Sequence, residues 1–275
     1  MAQLDAFFLQ LGQGSRFCVL HKPLDVARTR GAILFVHPFA EEMNKSRRMV
    51  AVQSRAFAAA GWTVLQVDLL GCGDSAGDFS DATWQLWTQD VVAATQWLRT
   101  TTGHEPVLWG LRSGCLLITE AAQSLDGSLA LILWQPVLSG KQFLQQFLRL
   151  KVANQITAED PSERSGTQQL RAQLVEGIAI EVAGYTLAPA LALPMEAAGL
   201  ELQERPTRVA WLEVGASTDE ELSPAARLRI EAWQQAGHSV EARVVNGPRF
   251  WQTLEISECP ALVDTTIRLI DGWSA

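Results

Sequence analysis

The stretch Val107-Leu108-Trp109-Gly110-Leu111-Arg112-Ser113-Gly114-Cys115 decides how this chain is organised. Bulky apolar residues form a short buried strand over 106–109, and an apolar helix runs over 114–125. Between them lies Gly-x-X-x-Gly. That spacing lets a strand turn sharply into a helix, because glycine tolerates backbone conformations and close approaches that other residues do not. The middle residue of such a turn is thrust out at the carboxyl edge of the sheet. An enzyme using the turn carries Ser, Cys or Asp there; this chain carries Arg112.

Outward from this point, strands are predicted over 16–21, 31–37, 62–68, 129–134, 207–214 and 240–245. Helices are predicted over 47–60, closed by Gly61, and over 81–101, 224–236 and 260–273. In the second of these, Trp84, Trp87, Val91, Ala94 and Trp97 recur at three- and four-residue steps, the period of a helix with one buried face. Strands alternating with helices specify an α/β class: a mostly parallel sheet flanked by helices, with right-handed crossovers. The rhythm breaks between 139 and 205. Two helical pieces, 141–154 and 166–177, flank Asp160-Pro161-Ser162, and a strand pair is expected at 178–185 and 200–204. The expected division is a core of 1–139 and 206–275, with 140–205 inserted as a cap.

Composition narrows the function classes. Of 275 residues, 48% are hydrophobic and 19% charged, the balance of an ordered globular chain. The formal net charge is −8 and no Lys/Arg block occurs, which argues against nucleic acid as a partner. No apolar run reaches the ~18 residues of a membrane span. The start, with Asp5 and a short apolar run at 6–9, does not read as a signal peptide. Cys18, Cys72, Cys115 and Cys259 are scattered and form no Cys-x-x-Cys pair, so they read as reduced core residues of a cytoplasmic protein. No His/Cys spacing suits a metal, and no cofactor motif is expected.

Further landmarks follow in order. His37-Pro38 ends one strand. Asp68-Leu69-Leu70-Gly71-Cys72-Gly73-Asp74-Ser75-Ala76-Gly77 follows the next. Trp211-Leu212-Glu213-Val214-Gly215 leads to Asp219, and Gly247-Pro248-Arg249-Phe250-Trp251 follows the last strand. Together these resemble the α/β-hydrolase superfamily over nearly the whole chain. More narrowly, the run His37-Pro38-Phe39-Ala40-Glu41-Glu42-Met43-Asn44-Lys45-Ser46-Arg47-Arg48-Met49, the turn Gly110-Leu111-Arg112-Ser113-Gly114 and Leu133-Trp134-Gln135-Pro136-Val137 resemble the exosortase A system-associated hydrolase 2 family of bacteria. The resemblance implies an α/β-hydrolase fold and a setting of exopolysaccharide production and protein sorting. It places His37 in the oxyanion-hole loop, Arg112 at the nucleophile, Asp219 at the triad acid and Arg249 at the triad histidine.

A serine hydrolase needs a base within hydrogen-bond reach of its nucleophile and an acid that orients the base. Of the four histidines, His104 and His238 precede their strands and belong at the amino edge, and His21 lies in the first strand region. His37 is at the carboxyl edge but belongs to a loop that it would shape. Ser113 stands one position past the apex, either as a displaced nucleophile or as a hydroxyl packed beside the turn. Cys115 falls in the first helical turn, where packing competes with reactivity.

Arg112 admits three readings. It pairs internally with Glu41, Glu42, Glu213 or Asp219; or it joins Arg249 in holding a ligand's carboxylate or phosphate; or it serves unusual catalysis. Trp109, Trp134, Trp211 and Trp251, at strand ends, either fill the core or line an apolar pocket. The expected binding residues are therefore His37, Phe39, Glu41, Arg112, Glu213, Arg249 and Trp251, with Ser113 and Asp219 as the catalytic candidates. The ligand is expected to be a small molecule, anionic or acyl. The first functional reading is a non-catalytic binding or accessory protein with a degenerate triad. The alternative is an ester or thioester hydrolase, or an acyltransferase, with a non-standard centre.

Overall fold

A computed structural model of the chain describes residues 3–25, 29–155, 166–217 and 221–273. Ten strands and eight α-helices follow one another in the described residues. The first half runs β1 (Gln3–Leu11), β2 (Gly14–Lys22), β3 (Gly31–Val36), α1 (Glu41–Ala59), β4 (Trp62–Val67), α2 (Trp84–Thr102), β5 (Pro106–Leu111), α3 (Gly114–Ala121) and β6 (Leu129–Trp134). Then come α4 (Gly140–Gln155), α5 (Thr167–Val175), β7 (Ile180–Val182), β8 (Tyr185–Leu187), α6 (Pro189–Ala197), β9 (Thr207–Gly215), α7 (Pro224–Gln235), β10 (Ser239–Asn246) and α8 (Pro260–Ile270).

Eight strands make one sheet in the order β1-β2-β4-β3-β5-β6-β9-β10. From β4 to β10 every neighbour is parallel, while β1/β2 and β2/β4 are antiparallel. The period-2 alternation of strand side chains sorts the core into two layers. On one face, Leu34, Val36, Leu108, Leu131 and Trp211 pack with α2, α3 and α7 residues such as Trp87, Val91, Leu117 and Trp233. On the other, Ile33, Phe35, Trp109, Ile132 and Leu212 pack with α1 and α8 through Met49, Phe57 and Leu262. Trp109 lies at the centre of the second layer, its ring 4.7 Å from Trp134, 4.4 Å from Phe35 and 5.3 Å from Phe57. Trp109, Trp134 and Trp211 are thus core residues, fully buried.

Several boundaries depart from the sequence expectations. The edge strand β1 was not expected; its half-buried positions alternate with exposed ones and it closes a hairpin with β2. The helix expected at 47–60 starts six residues earlier, at Glu41. Within 140–205, the strand pair is a tighter hairpin, β7/β8, and 200–204 forms no strand. Ala183 and Gly184 at its tip both have positive φ, 50° and 83°, the requirement of a two-residue hairpin whose twist matches its strands. The chain next forms α6, with Pro189 at its start. The two ends of this segment meet in an isolated bridge, Ser139 with Gly199. A Cβ on Gly140 would sit 1.7 Å from the Met195 carbonyl oxygen, so this close approach admits only glycine. No helix among the described residues is long and apolar enough to cross a membrane, and no group of His, Cys, Asp and Glu among them could hold a metal ion.

Candidate functional site

Strand β5 continues through Gly110 and Leu111 to the apex, two residues further than expected. There Arg112 takes φ 55°, in the left-handed region that L-residues adopt at a cost. The glycines of the turn serve a different need: space. A Cβ on Gly110 would lie 2.8 Å from the Cys115 backbone, and one on Gly114 would lie 2.5 Å from the Val36 carbonyl oxygen. Helix α3 and strand β3 can therefore crowd the turn, and the strain falls on its middle residue. The Arg112 N–H donates to Trp134 O at 2.9 Å, and its carbonyl accepts from Val137 N–H at 3.3 Å.

Two more non-glycine residues with positive φ, Ala40 (50°) and Gln135 (43°), follow the carboxyl ends of β3 and β6, the two neighbours of β5. Gln135 donates its N–H to Leu212 O at 2.7 Å, and its Oε1 accepts from Val214 N–H at 2.8 Å. It thereby pins the end of β6 to β9. Clusters of strained residues of this kind mark functional edges of folds.

The Arg112 side chain reaches Glu42, at the start of α1. Its Nε–H points at both carboxylate oxygens, at 3.2 and 3.3 Å. The pair is mostly buried, with 13% of the Arg112 and 18% of the Glu42 side chain exposed. Burial raises the Glu42 carboxyl above its ordinary range, and Arg112 opposes that shift. Two aromatic rings flank the guanidinium: Phe143 of α4 at 5.9 Å and Trp251 at 5.8 Å from its carbon, within range of a cation–π attraction. These groups border a cavity of about 290 Å³, completed by Phe39, Phe147, Leu150 and polar residues including Lys45 and Glu41. Helix α4 contributes Phe143 and Phe147 one helical turn apart, so both rings reach the same wall. A larger hollow of about 330 Å³ lies among the strand starts, bordered by Pro106, Leu129 and Thr207, at the amino edge away from the turn.

The expected site residues divide. Phe39, Glu41, Arg112 and Trp251 all border the cavity. Glu41, however, is not the partner of Arg112. It accepts from the Tyr185 hydroxyl of β8 at 3.4 Å, which ties that hairpin to α1. Neighbouring helical residues point about 100° apart, and Glu42 is the one on the inward face. His37 does not border the cavity. It is buried, with Nδ1 2.8 Å from Pro38 O and Nε2 accepting from Leu69 N–H at 3.2 Å. Burial lowers its pKa, so it is a neutral brace between two loops. Glu213 is held by the Trp211 indole N–H at 2.9 Å and does not border the cavity. Arg249 is exposed and does not border it either; from its loop Trp251 faces the turn instead. Asp219 lies outside the described residues.

Ser113 is 2% exposed, and its Oγ accepts from Phe39 N–H at 3.0 Å. That hydroxyl occupies a backbone donor of the loop after β3, the loop that supplies one half of an oxyanion hole in folds of this layout. Cys115 is fully buried and burial raises its thiol pKa, which favours the unreactive protonated form. Of the four partners expected for Arg112, Glu42 is the one that meets it; Phe143 and Phe147 were not expected at the site, and their four-residue spacing was the available signal.

The run after β3 places Phe39, Glu41, Glu42 and Lys45 on the cavity and uses others to brace the loops around it. Beyond Phe39, Glu42 and Lys45, Arg47 grips Asp68 with two N–H groups at 3.0 and 3.3 Å, fixing the glycine-rich loop after β4. The Met49 sulfur accepts from Cys259 N–H at 3.3 Å.

Residues 19–141 match the family model described as X-Pro dipeptidyl-peptidase (S15 family). No curated protein matches significantly in sequence. Solved structures align along almost the whole chain. Est1E from Butyrivibrio proteoclasticus, with ferulic acid bound, has a TM-score of 0.66 at 14% identity, covering 96% of this chain and 98% of its own. A thermostable carboxyl esterase from Bacillus coagulans, in complex with glycerol, has a TM-score of 0.62 at 14% identity, covering 98% of each chain. XC6422 from Xanthomonas campestris, an α/β serine hydrolase without a lid, has a TM-score of 0.58 at 16% identity, covering 99% of this chain and 95% of its own. The sheet order, the flanking helices, the turn at Arg112 and these likenesses together establish that the chain has the α/β-hydrolase fold.

Proposed function

We propose that this protein binds a small molecule with an apolar body in the cavity beside Arg112 and does not hydrolyse it, acting as a binding or accessory component of a bacterial exosortase-associated exopolysaccharide system. The observation that carries the reading is the pairing at the turn. The position where this fold presents a nucleophile holds an arginine, paired with Glu42 and flanked by two aromatic rings. An arginine is always charged at neutral pH and cannot act as nucleophile or base.

Two further observations support it. No histidine borders the cavity among the described residues. The Ser113 hydroxyl is buried on a backbone N–H and lacks a base. The 140–205 segment acts as a cap in this reading, because its helix α4 supplies one wall of the cavity. The setting rests on the run from His37 to Met49, four of whose side chains border the cavity.

The test is direct. A fluorophosphonate probe should leave the protein unlabelled, and p-nitrophenyl acetate and octanoate should not turn over above the buffer rate. The uncharged fluorophore N-phenyl-1-naphthylamine should brighten on binding, and Leu150→Trp at the mouth should abolish the signal. Labelling that disappears in Ser113→Ala would instead establish an active hydrolase with a displaced nucleophile.

A further inference from the structure

The cavity's polar groups are unequally used. A guanidinium has five N–H donors. Glu42 engages only Nε–H, and among the described residues no protein acceptor meets the four N–H of the two terminal nitrogens. Lys45, half-buried, adds a second cation to the rim, beside Glu42. Arg112 borders the cavity, so a ligand's acceptors can take the place of water at its terminal N–H groups.

The rest of the wall is aromatic and aliphatic: Phe39, Phe143, Phe147 and Leu150. Leu150 is 46% exposed, so the apolar side opens to the surface. The acids Glu41 and Glu42 border the same cavity as Lys45 and Arg112, so each negative charge on a ligand meets some repulsion and a dianion is disfavoured more than a monoanion. The volume is that of about ten liquid waters, room for a chain or ring system of roughly that many heavy atoms.

We infer that the ligand is an amphiphilic monocarboxylate, a medium-chain or aryl-alkyl acid, whose carboxylate takes the two terminal nitrogens of Arg112 while its apolar body lies along Phe143, Phe147 and Leu150. Glu42 keeps the Nε edge and holds the guanidinium in place, so the planar fork is presented ready for a bidentate pair. This rests on the binding reading above and adds the headgroup to it.

Calorimetry on the full-length protein with octanoate, octan-1-ol and octyl phosphate tests the headgroup. Octanoate should bind at least tenfold more tightly than octan-1-ol, a difference of about 1.4 kcal/mol. Arg112→Gln should bring octanoate to the level of the alcohol, with far-UV circular dichroism confirming that the variant is folded. Arg112→Lys, which keeps the charge but not the fork, should retain folding and lose most of the preference. Equal binding of octanoate and octan-1-ol would overturn the carboxylate assignment and leave the apolar cavity standing. Octyl phosphate binding as tightly as octanoate would overturn the choice of a monoanion. Absence of binding by both octanoate and octan-1-ol would overturn the binding reading as well.

Discussion

Removing both members of the Arg112–Glu42 pair should cost less than the two single removals added together. Arg112→Ala leaves Glu42 in a site where less than a fifth of its side chain meets water. Alanine suffers the same left-handed backbone conformation as arginine, so the substitution isolates the side chain. Breaking a fully buried pair costs about 3–5 kcal/mol. This pair keeps some solvent, which places the expected loss at about 2–3 kcal/mol. Glu42→Ala strands the guanidinium instead, but Phe143 and Trp251 still attract it by about 1 kcal/mol, so its loss should be nearer 1–2 kcal/mol. The double variant removes both charges and should be more stable than the sum by about 1–2 kcal/mol.

Urea unfolding at pH 7.5 measures all four corners of the cycle. In thermal melts, the Arg112→Ala loss corresponds to about 4–12 °C for a domain of this size. Acid should narrow the gap between Arg112→Ala and wild type. The unpaired Glu42 carboxyl, already raised by burial, is pushed higher without Arg112, so the folded variant gains stability as pH falls and Glu42 becomes neutral. Additivity within about 0.5 kcal/mol would refute the pairing as the determinant of this site.

Arg112→Ser should fold but stay inert toward p-nitrophenyl esters, because no imidazole borders the cavity among the described residues; turnover above that of wild type would contradict this. Ser113→Ala should lose about 1–3 kcal/mol in urea unfolding, since Phe39 N–H is left buried without an acceptor. Stability should be complete above pH about 6.5 and fall as pH drops below it, because burial depresses the folded-state pKa of His37 and only the unfolded chain takes the proton readily. His37→Gln should flatten that fall, and an unchanged profile would assign it to His21 or His238, whose pKa values burial also lowers. In the native state Cys115 should resist Ellman's reagent, reacting only after denaturation, since burial holds its thiol protonated.

The fold was legible in the sequence wherever the chain repeats a period. Strand β5, the turn and α3 follow from the apolar residues at 107–111 and the glycines at 110 and 114, and the β/α alternation around them orders most of the sheet. Strand β1 escaped because a lone alternating run beside a short turn has no neighbour in sequence to pair with except β2, and pairing is what makes it a strand. Helix α6 escaped because Pro189 and Pro194 interrupt its helical pattern, although Pro189 sits in the first turn, where no N–H is needed.

The site was legible only in part. Arg112 was named from spacing alone. Its partner required the phase of α1, and that phase depends on where the helix begins: with the start placed at 47, residues 41–46 have no assigned face. Arg249 and Trp251 were both expected at the cavity, and only Trp251 borders it; they lie in an irregular loop, where no period tells which side chain turns inward.

The positive φ values at Ala40, Arg112 and Gln135 carry one more consequence. At about 1–3 kcal/mol each, they make the rim of this sheet a place where local backbone preference is overruled by the packing around it. The backbone shape of such a scaffold does not depend on the side chain at its apex, even where that side chain adds to stability. Chemistry can be withdrawn from the turn, or installed there, by exchanging side chains alone, with the main chain already set in the shape that a reactive residue would demand.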